Sequence, residues 1–381
     1  MRVFLTTVCA LALALSAGAA VAQKTEAQKQ ADAKKAAEPP FVVGQPVPPP
    51  GPPGPRLAGL PDPYRVDNNW AKMPPGRIWG STTGVDIDKD GKSVWFAERC
   101  DSSGPGCADP KNKNMDPILK FDTNGKLVKS FGAGMFHYPH GMDVDANGNL
   151  WIADGIANPG QGKPMPPGNI GNTVREFSPD GKLLMTLGKP GVIGSGHDHY
   201  VFRAATAVAV APNGDIYVGD GHDENGNNRV IKYDKNGKYL LEFGKNGKGP
   251  AEFLQSPHDL AIDKEGRVYV ADRGNAEIQV FDVNGKLLHV WDQFGEPSGV
   301  YIRNEILYVA DNGYLGYAKP GFNGQGVRIG RVSDGKLIAN IPWGEYNTWE
   351  GVAVDKDGVV IGGFANKPGA HRFFPTGPLP K

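Results

Sequence analysis

Residues 257–281 read PHDLAIDKEGRVYVADRGNAEIQVF, and this stretch decides the fold. Pro257-His258-Asp259-Leu260-Ala261-Ile262 alternates apolar with polar or small residues, Glu265-Gly266 interrupts it, and Val268-Tyr269-Val270-Ala271-Asp272 resumes the alternation. Period-2 alternation on both sides of a polar-Gly pair predicts two antiparallel strands joined by a tight turn. The first half of that pattern recurs five more times. Before it stand Thr83-Gly84-Val85-Asp86-Ile87-Asp88, His140-Gly141-Met142-Asp143-Val144-Asp145 and Thr206-Ala207-Val208-Ala209-Val210-Ala211. After it come Ser298-Gly299-Val300-Tyr301-Ile302-Arg303 and Glu350-Gly351-Val352-Ala353-Val354-Asp355.

Most copies continue into a second hairpin, as in 118–131, 174–187, 230–243 and 278–291. Its turn is Asn124-Gly125, Asp180-Gly181, Asn236-Gly237 or Asn284-Gly285, each followed by Lys. Such pairs predict two-residue turns in which both central residues take positive φ. Four strands per unit, repeated roughly every 40–65 residues, make a propeller blade. The expected fold is all-β, a six-bladed β-propeller spanning residues 60–381. The sixth unit ends at Ala370–Pro375 without a full second hairpin, so Tyr64–Ile78 is expected to supply its outer strand and close the ring.

The N-terminal part has a different composition. Met1–Ala22 combines Arg2, an apolar run from Val3 to Leu15 and the ending Ala20-Val21-Ala22, the pattern of a signal peptide cleaved after Ala22. The expected location is secreted or periplasmic. Residues 23–59, first rich in Ala, Lys and Gln and then in Pro, read as a linker that cannot bury a core. Cys9 leaves with the leader, and Cys100 and Cys107 are expected to form a disulfide in an oxidising compartment. The 41 basic and 41 acidic residues cancel, which lacks the basic excess of a nucleic-acid binder. After the leader no apolar run approaches the length of a transmembrane helix.

Equivalent positions of the six units surround one axis. The residue heading each inner strand is Thr83, His140, Thr206, His258, Ser298 and Glu350, so His, His and Glu alternate with hydroxyls. Alternate positions of a six-fold ring form a triangle. Two imidazoles and a carboxylate with an open position suit a divalent metal, zinc foremost, and the same facial set is used by ferrous iron. The competing reading has both imidazoles bonded to neighbouring backbone and Glu350 solvated. His197-Asp198-His199-Tyr200, flanked by Gly194 and Gly196, reads as an exposed loop, and Tyr314 and Tyr317 as loop-packing aromatics.

The repeat resembles NHL repeats, most clearly in 257–262 and Val270-Ala271-Asp272-Arg273-Gly274-Asn275. Longer pieces resemble the propeller lyase that cleaves peptidyl-α-hydroxyglycine to a peptide amide and glyoxylate. They are Phe136-His137-Tyr138-Pro139-His140-Gly141, Asn149–Asp154, Gly219-Asp220-Gly221-His222 and Glu252–Phe281. The resemblance implies zinc held by three His, of which His140 and His258 are present while Glu350 stands at the third position. It implies Arg99 and Arg273 as handlers of a substrate carboxylate, and places His222 where the family has its catalytic Tyr. A structural calcium would use the carbonyls of Val85 and Met142, but Gly351 replaces the Asp that would complete it. The expected function is thus an exported, divergent lyase-like enzyme taking a small-molecule or peptide substrate in the central funnel. The alternative is a non-catalytic propeller that binds a protein or glycan partner on one face. A calcium-dependent lactonase fits the axial His pair poorly.

Overall fold

The computed structural model describes residues 57, 59–68, 70–101, 106–155, 170–196, 198–222, 226–313, 318–322, 324–343, 348–365 and 369–380. The leader, most of the linker, His197, Asp223–Asn225, Tyr314 and Tyr317 lie outside them.

Twenty-four strands among the described residues form six four-stranded antiparallel sheets, each a meander from an inner to an outer strand. The inner strands are Thr82–Ile87, Tyr138–Val144, Ala205–Val210, Pro257–Ile262, Pro297–Arg303 and Trp349–Val354. They are the six segments read from the repeat, and the protein is a six-bladed β-propeller. Both faces of each sheet are apolar because each faces a neighbouring blade. Six buried clusters result, one per seam. The seam of blades two and three, for example, packs Trp151 and Val174 against Phe202, Val208 and Ile231.

The sixth sheet is closed by Tyr64–Asp67, which pairs with Ala370–Pro375 in the register Tyr64↔Pro375 to Asp67↔Arg372. The closing strand is therefore shorter than the 64–78 expected. Beyond it, Trp70 is buried, its indole N–H donates to the Thr123 carbonyl, and Lys72 N–H donates to Gly125 O. The entry segment so leaves blade six to seat on the outer turn of blade one. Arg372 spans the join, bonding Asp67 at 3.0 Å and the Thr123 carbonyl at 2.9 Å.

The outer turns differ from the expected two-residue form. In Asp122–Lys126 only Gly125 has positive φ (76°), and Gly125 N–H donates to Asp122 O while Asp122 N–H donates to Lys126 O. This is a three-residue loop, a type I turn closed by a glycine bulge. The Asp122 carboxylate accepts the N–H groups of Asn124 and Lys126, which holds Asn124 out of the left-handed region.

A second regularity lies at the far end of the second strand in blades one to five. Glu98, Asp154, Asp220, Asp272 and Asp311 are almost fully buried and accept backbone N–H groups of the segment that leads into their own blade. Arg77, Arg229 and Arg328 neutralise three of them. These acids fix where each blade's entry loop meets the funnel.

Asp86 and Asp143, lower on the inner strands, tie each blade to the next by accepting Val144 N–H (2.6 Å) and Val210 N–H (2.8 Å). Burial pushes both carboxyls above the usual range, and for Asp86 the charge of Asp143 adds to it.

Two outcomes follow from this architecture. A Cβ on Gly125 would lie 1.8 Å from Trp70 O, whereas one on Gly214, also at positive φ, meets only Lys235 Cβ at 3.2 Å. Gly125→Ala should cost about 3 kcal/mol or more in chemical denaturation, and Gly214→Ala about 1 kcal/mol. A carboxyl with a raised folded pKa stabilises fully below its unfolded value of about 3.9, and that stability is lost as pH rises through the folded value. Between pH 5 and pH 8, Asp143→Asn should therefore gain on the wild type by on the order of 1 kcal/mol in urea midpoints.

Candidate metal centre

The axis is narrow because adjoining inner strands touch backbone to backbone. A Cβ on Gly141 would lie 2.6 Å from Thr206 O, and one on Gly351 only 2.2 Å from Thr83 O. At that separation the residue heading one inner strand reaches the backbone of the next. Thr83 Oγ1 donates to Pro139 O (3.0 Å), His140 Nδ1 to Thr206 O (2.8 Å), Thr206 Oγ1 to Pro257 O (2.9 Å) and His258 Nδ1 to Ser298 O (2.8 Å). Two of the three hydroxyls in the ring, Thr83 and Thr206, are thus inter-blade ties.

Each of these bonds fixes an imidazole tautomer. With Nδ1–H committed to a carbonyl, Nε2 of His140 and of His258 carries a lone pair, the arrangement found behind metal-ligating histidines. Burial holds both rings well below the usual histidine pKa, and the positive charge of Arg273, joined by that of Arg99 for His140, pushes in the same direction. Both are therefore neutral and ready to donate.

His222 joins them from the end of the second strand of blade three. His140 Nε2 and His222 Nε2 are 3.2 Å apart, and the ligand atoms of His140, His222 and His258 all lie within 4.8 Å of one another. Burial, then Arg273 and Arg99, lower the His222 pKa as well. Glu350 falls outside that set. Its Oε2 is 3.3 Å from His258 Nε2, and its Oε1 faces Arg273 Nη1 (3.7 Å) and Asn312 Nδ2 (3.4 Å). Neither His258 Nε2 nor Glu350 Oε2 has a hydrogen-bond partner. Two unpartnered acceptors at this distance, both buried, fit a cation between or beside them. Burial raises the Glu350 pKa while the two arginines oppose it.

Arg99 and Arg273 occupy one structural position, directly after the strand-end acids Glu98 and Asp272. Arg99 stacks on the Tyr138 ring, 3.8 Å from its centroid. Asn312 follows Asp311 in the same way in blade five. Tyr138 and Asn312 were not singled out from the sequence, although comparing the residue after each strand-end acid would have found Asn312. His140, His258 and Glu350 share with Val85, Met142 and Gly351 the lining of a small axial cavity of about 20 Å³. The close approach at Gly351 leaves no room there for a carboxylate side chain. Away from the axis, His199 bonds Glu242 at 3.2 Å and stacks on Tyr239.

A family model described as NHL repeat matches residues 254–281. NHL repeat-containing protein 3 of Homo sapiens is 32% identical over 66% of this chain and 65% of its own length. Its Mus musculus counterpart is 30% identical over 73% of this chain and 74% of its own. This chain belongs to the NHL-repeat family. Within it, peptidyl-alpha-hydroxyglycine alpha-amidating lyase 1 of Drosophila melanogaster is 31% identical over 59% of this chain, and the match spans 41% of that protein. A streptogramin B lyase structure superposes with a TM-score of 0.52 at 16% identity, covering 83% of this chain and 98% of that one, and so shares the fold.

The one disulfide among the described residues of this NHL propeller, Cys100–Cys107, borders the site. Cys100 follows Arg99, and Cys107 N–H donates to His137 O at 3.2 Å, so the bridge ties blade one's Arg99 to the segment carrying Tyr138 and His140. Replacing both cysteines by Ser should cost about 2–3 kcal/mol in denaturant titrations, the loop-closure value for so short a loop.

Proposed function

We propose that this chain is an exported, metal-dependent enzyme of the propeller-lyase kind, cleaving the C–N bond of a carbinolamide that carries a carboxylate. The observation that carries the reading is the pair of neutral, oriented imidazoles of His140 and His258, whose Nε2 atoms converge on the funnel beside an unpartnered Glu350 oxygen. The kinship with amidating lyases supports the reaction class. The sequence pattern of Met1–Ala22 supports export, and among the described residues no helix is long and apolar enough to cross a membrane.

A divalent ion, zinc foremost, held by His140 and His258 would supply Lewis acidity to a substrate hydroxyl. Arg99 and Arg273 present two guanidinium groups at the same mouth, against the single negative charge of Glu350, so an anionic substrate group is drawn there. Guanidinium forks suit a carboxylate. In the overall reaction the hydroxyl loses its proton, the C–O bond becomes a carbonyl, the C–N bond breaks, and the nitrogen leaves as an amide after taking up a proton. Glu350, whose Oε2 has no hydrogen-bond partner, is the group this reading assigns to that proton.

Purified mature protein should contain about one zinc per chain by elemental analysis, and His140→Ala/His258→Ala should contain none. With a peptidyl-α-hydroxyglycine, glyoxylate release should stop on chelation and return with zinc, and Arg273→Ala should raise KM at least tenfold. A metal-free wild type, or glyoxylate release indifferent to chelation, would sink the reading. A second reading, a scaffold without catalysis, is favoured by the exposed apolar side chains Leu183, Leu184, Val192, Ile193 and Leu240 on blades two and three. It predicts no metal at all.

A further inference from the structure

We infer that the third protein ligand of the metal centre is His222, from blade three, and that Glu350 stays outside the coordination sphere. The inference rests on the metal reading of the funnel and assigns a donor to it. A tetrahedral ion with bonds of about 2.0–2.1 Å holds its donor atoms about 3.3–3.4 Å apart. His140 Nε2 and His222 Nε2 already stand at that edge length, 3.2 Å apart.

The bonding of the two rings points the same way. His140 Nδ1–H is spent on Thr206 O, so its Nε2 is an acceptor facing His222 Nε2. A nitrogen–nitrogen contact this short is held by a shared proton or by a cation. His258, its own Nδ1 spent on Ser298 O, completes the triangle, with ring centroids 4.6 Å from His140 and 5.5 Å from His222.

Glu350 Oε2 stands at a similar distance from His258 Nε2, 3.3 Å, but the rest of its environment differs. Its carboxylate touches one imidazole of the three, and its other oxygen is directed to Arg273 and Asn312 on the far side. Moving it onto a common point with His140 and His222 would break those contacts and leave the Arg273 guanidinium, only 12% exposed, without its carboxylate. Three imidazole nitrogens are available without that rearrangement, all within 4.8 Å of one another.

The test uses the full mature protein, loaded with zinc or cobalt(II) alone. X-ray absorption of the zinc-loaded wild type should show three imidazoles at about 2.0 Å, and cobalt(II) should give the visible spectrum of a four-coordinate site. In competition with a chromophoric chelator, His222→Gln should weaken zinc binding by about 100-fold or more, beyond the 10–100-fold typical of losing an outer-shell support. Glu350→Gln should change it less than tenfold. Thermal melts of the metal-free variants check that each still folds, and the wild-type absorption count stands whatever they do. Two imidazoles plus a carboxylate in the wild type, or a 100-fold loss in Glu350→Gln with none in His222→Gln, overturns the assignment while leaving the metal centre intact. A wild type that binds no zinc overturns both.

Discussion

Adjoining inner strands of this propeller approach closely at the axis, and the rest of the structure depends on that approach. The glycines at 141 and 351 permit it, since a Cβ at either would meet the next blade's carbonyl well inside contact distance. At that spacing the leading side chain of one blade bonds the backbone of its neighbour, from Thr83 to Pro139, His140 to Thr206, Thr206 to Pro257 and His258 to Ser298. The bonds that pack the ring therefore also orient two imidazoles. A histidine whose Nδ1–H is tied to a carbonyl has a fixed plane and a free Nε2, so scaffold and site share one set of interactions.

The charges around the funnel form a second layer on this geometry. The strand-end acids anchor the entry loops, and the residue following each is delivered to the mouth: Arg99 in blade one, Arg273 in blade four and Asn312 in blade five. Burial, with Arg273 adding to it, keeps the imidazoles neutral, and the arginines hold back the rise in the Glu350 pKa that burial causes. The site gathers donors on one side and positive charge on the other, a distribution suited to a cation and an anion bound together.

The architecture was largely legible before any coordinates, because a blade is a local object. Alternation, polar-Gly turns and a recurring frame specify four strands each time, and six copies are enough to close a ring. The departures from that frame arise at one inter-blade contact and at one local capture of backbone N–H groups. The closing strand stops at Asp67 because the entry segment is drawn onto blade one by Trp70 and Lys72. The outer turns take a glycine bulge because Asp122 captures its own turn's N–H groups. The site was half legible. His140 and His258 stood out from register alone. The place of His222 beside them did not, since it lies at the end of a different strand and a loop of the chain separates it from the frame.

The amino-acid order by itself determined the repeat, the number of blades and the ring position of each leading residue, since all three are properties of spacing along the chain. Only the tertiary structure decided which side chains converge. Residues 140, 222, 258 and 350 belong to four different blades, and their separations depend on how those blades pack. It is that packing, through inter-blade hydrogen bonds and the pull of Arg273 and Asn312, that brings His222 to His140 and turns Glu350 toward the arginine.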